Sequence, residues 1–154
     1  NEEDTISETI KSLVEIDYPK DKKEILLVND GSTDKTLQIM QKFAKRYKQI
    51  KIINKKNSGK ADSLNQAIKI AQGELIATID ADSYPAKDSL LKMVGYFEED
   101  EKMAAVTSKV LVRNKNKFIE RFQDIDDAVQ IDVSQAVILI FRLTDLDAHL
   151  RAGA

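Results

Sequence analysis

Cysteine is absent from the 154 residues, and histidine occurs once, at His149. The first absence excludes disulfides and thiolate metal sites. The second leaves too few ligands for a structural zinc site, and it argues against a histidine-based triad because His149 lies in a polar tail. An excess of one charge is also missing. Lysine plus arginine total 24 against 26 aspartate plus glutamate, a net charge of -2. A protein that holds nucleic acid by neutralising phosphates needs a basic surplus, so nucleic acid is not an expected partner. No apolar run approaches the roughly eighteen residues of a membrane span. The opening Asn1-Glu2-Glu3-Asp4 lacks the basic start of a signal peptide, so the expectation is a soluble chain. No G-x-G-x-x-G turn follows any predicted strand, which disfavours a sugar-nucleotide epimerase or dehydrogenase.

What is present is globular: 42% hydrophobic and 32% charged residues, in a length that suits one domain. Burying about two-thirds of the unfolded surface is within reach at this size. Helical and strand periodicities alternate along the chain. Ile6, Ile10, Leu13 and Val14 fall on one helical face, which Tyr18-Pro19 should close. Glu24 to Asn29 is a short apolar run, as expected of a strand buried on both faces. A helix follows with Leu37, Met40, Phe43, Ala44 and Tyr47 as its stripe, then a strand over Lys51 to Asn54. The next helix carries Ala61, Leu64, Ala67, Ile68 and Ala71 and should stop at Gly73. Leu75 to Ile79 predicts a strand, and Leu90, Leu91, Val94 and Phe97 a helix with Pro85 in its first turn. Ala104 to Val112 predicts a further strand. This alternation specifies an α/β fold with a largely parallel sheet flanked by helices.

Ligands of such sheets bind beyond the carboxyl ends of the strands, and chemistry-bearing residues gather there. Asn29-Asp30-Gly31-Ser32-Thr33-Asp34 follows the first strand. Gly31 permits a tight turn, and the next helix offers free N–H groups to an anion or a base edge. Alternatively Thr33 or Asp34 caps that helix and Asp30 only shapes the turn. Asp80-Ala81-Asp82 follows the strand ending at Ile79. In an extended segment its two carboxylates share a side and suit a hard divalent cation. The competing reading is a solvated acidic turn with Ser83 capping the next helix. Lys60, after Ser58-Gly59, sits where it can pair with a diphosphate or simply be solvated. All three features fall on strand-to-helix junctions of the same kind.

In order and spacing these segments resemble the family 2 glycosyltransferases of GT-A fold, above all the processive synthases of poly-N-acetylglucosamine, hyaluronan and cellulose. The matching segments are Asn1-Glu2-Glu3, Asp17-Tyr18-Pro19, Val28 to Asp34, Asn57-Ser58-Gly59-Lys60-Ala61 with Leu64-Asn65, Asp80-Ala81-Asp82-Ser83, and Ala105-Val106-Thr107-Ser108. The resemblance covers residues 1–125, the nucleotide-sugar-binding part of such a domain, and implies a UDP-sugar donor. It implies that Asp30 holds the uracil, that Lys60 lies along the nucleotide and its phosphates, and that Asp80 contacts the uridine or its ribose side. Asp82 would ligate Mg²⁺ or Mn²⁺ bridging the diphosphate. The full-length relative would sit at the cytoplasmic face of the cell membrane and pass a sugar, N-acetylglucosamine or a related one, to a growing β-glycan with inversion.

Departures from the pattern set further expectations. The family's strand ahead of Asn1, its catalytic-base motif, its Q-x-x-R-W motif and its membrane segments are not found in the chain. No catalytic residue is therefore assigned, and the fold is expected to be incomplete at both ends, with sheet edges open to self-association. The segment 126–154 finds no counterpart and reads as a helical or strand tail. Val137 to Phe141 is apolar and β-branched enough to fold back as a strand, while Phe118 onward also suits an amphipathic helix. Phe118 and Phe122 read as packing residues, Asp124, Asp126, Asp127 and Asp132 as a solvated face, and Lys20 to Lys23 and Lys55-Lys56 as solvated loops. Two other classes stay open: a nucleotide-binding module without transferase activity, and a ligand-free structural fragment that self-associates.

Overall fold

A computed structural model of the protein describes residues 1–100 and 102–109. Its elements run α1 (Ile6–Val14), β1 (Ile25–Asp30), α2 (Thr36–Arg46), β2 (Ile50–Lys55), α3 (Lys60–Ile70) and α4 (Ser89–Glu99), with one 3₁₀ turn at Lys20–Lys22. β1 and β2 pair in parallel, from Ile25 opposite Ile50 to Asp30 opposite Lys55. Among the described residues these are the two strands of the sheet.

β1 is buried along its apolar length because each face meets a different helical layer. Ile25 and Leu27 join Ile6, Ile10 and Leu13 of α1, Met40 of α2 and Leu90 of α4. Leu26 and Val28 meet Ala67 of α3, with Leu64 and Ala71 alongside. The two-residue period of a strand sorts its side chains between the layers. Each fully buried Ile, Leu or Val side chain is worth about 1.5–3 kcal/mol, so this one strand anchors a large share of the fold. The α/β architecture expected from the sequence is therefore the one observed.

Several expected boundaries moved. α1 ends at Val14, ahead of Tyr18-Pro19. The ammonium of Lys23 donates to the carbonyls of Leu13, Val14 and Ile16 at 3.1, 3.2 and 2.9 Å and caps the helix end. Lys23 is thus buried, not solvated. α3 buries Ser63 and Ala67, while Ala61 and Ile68 face outward, so its inner face is rotated from the one the apolar spacing suggests. It stops at Ile70, with extended Ala71 as its cap, before Gly73 is reached. α4 starts at Ser89 after Asp88, so Pro85 lies ahead of its first turn and Ser83 does not cap it.

Two predicted strands are not strands among the described residues. Leu75 to Ile79 alternates between half-buried and exposed as an extended segment should, and Ala77 and Ile79 pack on the core. No strand among the described residues supplies it with a ladder, so its backbone stays outside the sheet. Residues 104–109 are largely exposed and irregular, since two alanines and a valine offer little to bury. Residues 110–112 and the expected helix or strand beyond lie outside the described residues. No helix among the described residues is long and apolar enough to cross a membrane.

Candidate functional site

The parallel register brings the carboxyl ends of β1 and β2 side by side, and this places Asp30 beside Lys55. Their side chains form an ion pair, only 18% and 10% exposed. Oδ1 of Asp30 also accepts the Ser58 N–H at 2.9 Å, and Oδ2 accepts the Gly59 N–H at 2.9 Å. Lys55 donates further to Ser63 Oγ at 3.1 Å and pairs with Asp62 at 3.3 Å. Ser58 Oγ closes the ring by donating to Asp62. One carboxylate and one ammonium thus fasten the loop ahead of α3 to the end of β1.

Glycine makes the close approach possible. Gly31 sits at φ +76°, and a Cβ there would fall 2.7 Å from the backbone nitrogen of Asn57. On the other side of the turn, the first residues of the chain hold the start of α2. Asn1 Oδ1 accepts the Thr33 N–H at 2.7 Å, Glu3 Oε2 accepts the Lys35 N–H at 2.9 Å, and Asp34 accepts the N–H groups of Thr36 and Glu3. Asp34 therefore does serve the helix start, while Asp30 is committed to the neighbouring loop.

Burial works to raise the Asp30 pKa, but Lys55 and the two N–H groups outweigh it and hold the carboxyl below the ordinary 3.8. Burial likewise pulls Lys55 down, and Asp30 and Asp62 overcome it, leaving its pKa raised above 10.5. For Asp30 the sign is that of a depressed carboxylate. Its contribution to stability is complete above 3.8 and disappears as pH falls through its lower folded value. We expect the Ser58 and Gly59 amide resonances to titrate together with the Asp30 carboxyl, below pH 3.8, in an NMR series. A midpoint above that value would show that the clasp does not form in solution.

The acidic turn is built from the far side. Thr9 of α1, fully buried, donates its hydroxyl to the Ala81 carbonyl at 2.6 Å. The Ser83 N–H donates to the Asp80 carbonyl at 3.0 Å, so residues 80–83 form a β-turn and not the extended segment expected from the sequence. Ala81 is buried against the core, which leaves Asp80 and Asp82 on the accessible side of the turn. Asp80 receives the Lys60 ammonium at 2.7 Å, with both side chains partly exposed. The Asp82 carboxylate makes no hydrogen bond or ion pair among the described residues.

Three of the four sequence-derived site residues are thus linked through one structure. Asp30 binds the N–H of Gly59, the next residue is Lys60, and Lys60 reaches Asp80. Asp82 lies two positions farther along the turn. Sequence reading missed Lys55, which it took as solvated, and the positioning roles of Asp62 and Thr9. Setting the two strands in register would have exposed Lys55, since Asn29-Asp30 then face Asn54-Lys55. That same register lets the amide of buried Asn29 donate to Asn54, which is exposed, at 2.7 Å just below the site. An open cleft of about 370 Å³ at the opposite ends of the strands, lined by Lys20, Lys48 and Lys51 among others, contains none of these residues.

The sequence model of the family described as "Glycosyl transferase family 2" matches residues 1–149. The chain belongs to that family. Among the curated family 2 relatives, the poly-beta-1,6-N-acetyl-D-glucosamine synthases of Staphylococcus aureus strain MSSA476 and of Staphylococcus epidermidis are 36% and 35% identical to it over 128 residues. Those matches cover 83% of this chain but 31% of theirs, so the chain spans about a third of the length of these relatives. Among solved structures, Staphylococcus aureus TarS 1-349 in complex with UDP-GlcNAc has a TM-score of 0.60 at 32% identity, over 73% of this chain and 34% of that one. The mannosyltransferase PcManGT from Pyrobaculum calidifontis, in complex with GDP-Man and Mn²⁺, has a TM-score of 0.55 at 34% identity, over 60% of this chain and 28% of that one. The family 2 chain thus carries part of a GT-A fold, with Asp30 at the end of β1, Lys60 at the start of α3, and Asp80 and Asp82 on the turn ahead of α4.

Proposed function

We propose that the chain is the donor-binding part of a family 2 glycosyltransferase and holds a UDP-sugar at the carboxyl ends of β1 and β2. The observation that carries this reading is the continuous link from Asp30 through the 57–59 loop and Lys60 to Asp80. Asp30 takes the uracil, Asp80 the uridine on its ribose side, and Lys60 the phosphates, exchanging its contact with Asp80 for a more highly charged partner. The relatives named for N-acetylglucosamine polymers, and the neighbour that binds UDP-GlcNAc, support the same donor class. The whole protein, on this reading, works at the cytoplasmic face of the membrane and extends a β-linked glycan with inversion.

The residues fit a divalent cation. Asp82 offers hard oxygen donors with no competing partner among the described residues, and Asp80 stands two residues away on the same turn. No three potential ligand side chains converge among the described residues, so phosphate oxygens and water must complete the coordination. Mg²⁺ or Mn²⁺ bound there would neutralise charge on the departing diphosphate.

Calorimetric titration of UDP, with and without Mn²⁺, tests the reading. Binding should strengthen by about tenfold or more with the metal, and Asp82→Ala should remove that gain. A folded chain that binds UDP equally well with and without Mn²⁺ would dismiss the Asp82 assignment. One that binds no UDP would dismiss the donor site.

A further inference from the structure

The Lys55 ammonium has its three donors engaged, by Asp30 on β1 and by Ser63 and Asp62 on α3. It joins the element that carries the proposed base-contacting carboxylate to the helix that Lys60 opens. Asp30, in turn, receives Lys55 and Ser58 on Oδ1 but only Gly59 on Oδ2. A carboxylate oxygen accepts two hydrogen bonds, so one acceptor position is left on Oδ2 of a group that is 18% exposed. The charged groups facing Asp30 are Lys55 from β2 and, behind it, Asp62 from α3.

We propose that Lys55 is a positioning residue of the nucleotide site: it keeps Asp30 ionised and fixed, so that the remaining acceptor on Oδ2 selects a base that offers a ring N–H. This rests on the reading that Asp30 meets the base. Uracil presents N3–H and suits an ionised carboxylate, whereas cytosine presents a bare N3 lone pair and is repelled. A protonated Asp30 would lose that distinction, because its hydroxyl can donate to cytosine N3. The lowered Asp30 pKa agrees with this role.

The test is titration of UDP and of CDP into the full chain, between pH 4 and 8, for wild type, Lys55→Met, Lys55→Arg and Asp30→Asn. Wild type should prefer UDP throughout. Lys55→Met should lose about tenfold in UDP affinity, narrow the UDP-to-CDP ratio and move the acid limb of UDP binding to higher pH. Lys55→Arg should restore all three, since a guanidinium keeps the charge. A folded Lys55→Met chain with wild-type affinity, ratio and acid limb would overturn the proposal, while loss of preference in Asp30→Asn would keep the base at Asp30. If wild type does not discriminate UDP from CDP, or Asp30→Asn behaves as wild type, the base is not at Asp30 and both readings fall. Should Lys55→Met not fold, hydrogen exchange of Ser58 and Gly59 in the wild-type chain decides. Slower exchange with UDP bound supports the role, and faster exchange, meaning that Asp30 leaves the clasp, overturns it.

Discussion

Replacing Gly31 with alanine is expected to destabilise the chain by about 3 kcal/mol and to abolish UDP binding. Two independent penalties meet at this residue. Its φ of +76° disfavours any side chain, and the new Cβ would lie 2.7 Å from the Asn57 nitrogen. Since the obstacle is backbone, no rotamer change relieves it, and the β1 turn must part from the 57–59 loop. Asp30 holds that loop through Ser58 and Gly59, so the separation removes the proposed base contact as well. Gly59→Ala provides the comparison. At φ +90° and ψ 166° it also suffers backbone strain, but nothing lies within 4 Å of its Cβ. It should therefore lose only about 1–2 kcal/mol. Urea denaturation of both variants checks the order; equal losses would mean that the Asn57 contact is not tight in solution.

The second large effect is expected at Lys23. Lys23→Met keeps most of the apolar stem but takes the ammonium from three carbonyls at and just beyond the end of α1. Leu13 and Ile16 keep the N–H groups of Ile16 and Tyr18, at 3.4 and 2.9 Å, and Val14 loses its donor. Burial lowers the Lys23 pKa, Lys20 adds to that, and Asp17 opposes it, so the ammonium is itself under tension. Removing a buried charge ordinarily gives some stability back. Here the gain is outweighed, because the Val14 carbonyl is left without a donor, at about 1–3 kcal/mol, and the Leu13 and Ile16 carbonyls each lose a charge-assisted bond. A net loss of about 1–3 kcal/mol is expected, read from the same denaturation curves. A neutral or stabilising Lys23→Met would show that water replaces the lysine at the helix end.

The sequence disclosed what periodicity and local turn chemistry can carry. β1 was plain because four consecutive apolar residues, Ile25 to Val28, cannot be half solvated, and its two faces imply helices on both sides. Asp30, Lys60 and Asp80 were singled out from their place after predicted strands, and hydrogen bonds link them in the structure. Lys23 and Lys55 escaped notice because a lysine in a basic run looks alike whether it faces water or a row of acceptors. Their roles depend on partners that are distant in the chain, or across the sheet. Leu75 to Ile79 shows the converse: its pattern is that of a strand, but strand pairing belongs to two segments, and periodicity describes one. The turn at residues 80–83 is set in part by Thr9, which no local spacing could foretell.

That contact between Thr9 and Ala81 spans 72 residues of sequence. A chain emerging from the ribosome therefore makes α1 long before the turn that α1 restrains. Until residue 81 has appeared, the Thr9 hydroxyl has no carbonyl from that turn to meet, and the Asp80-Ala81-Asp82 corner has nothing to hold it. The β1–β2 pair and the Asp30 clasp need only the first 59 residues or so, and they can assemble earlier. On this ordering the proposed base contact is completed first and the turn carrying the proposed metal ligand last. If the proposed roles hold, a nascent chain has its base contact in place before the turn that would carry the metal.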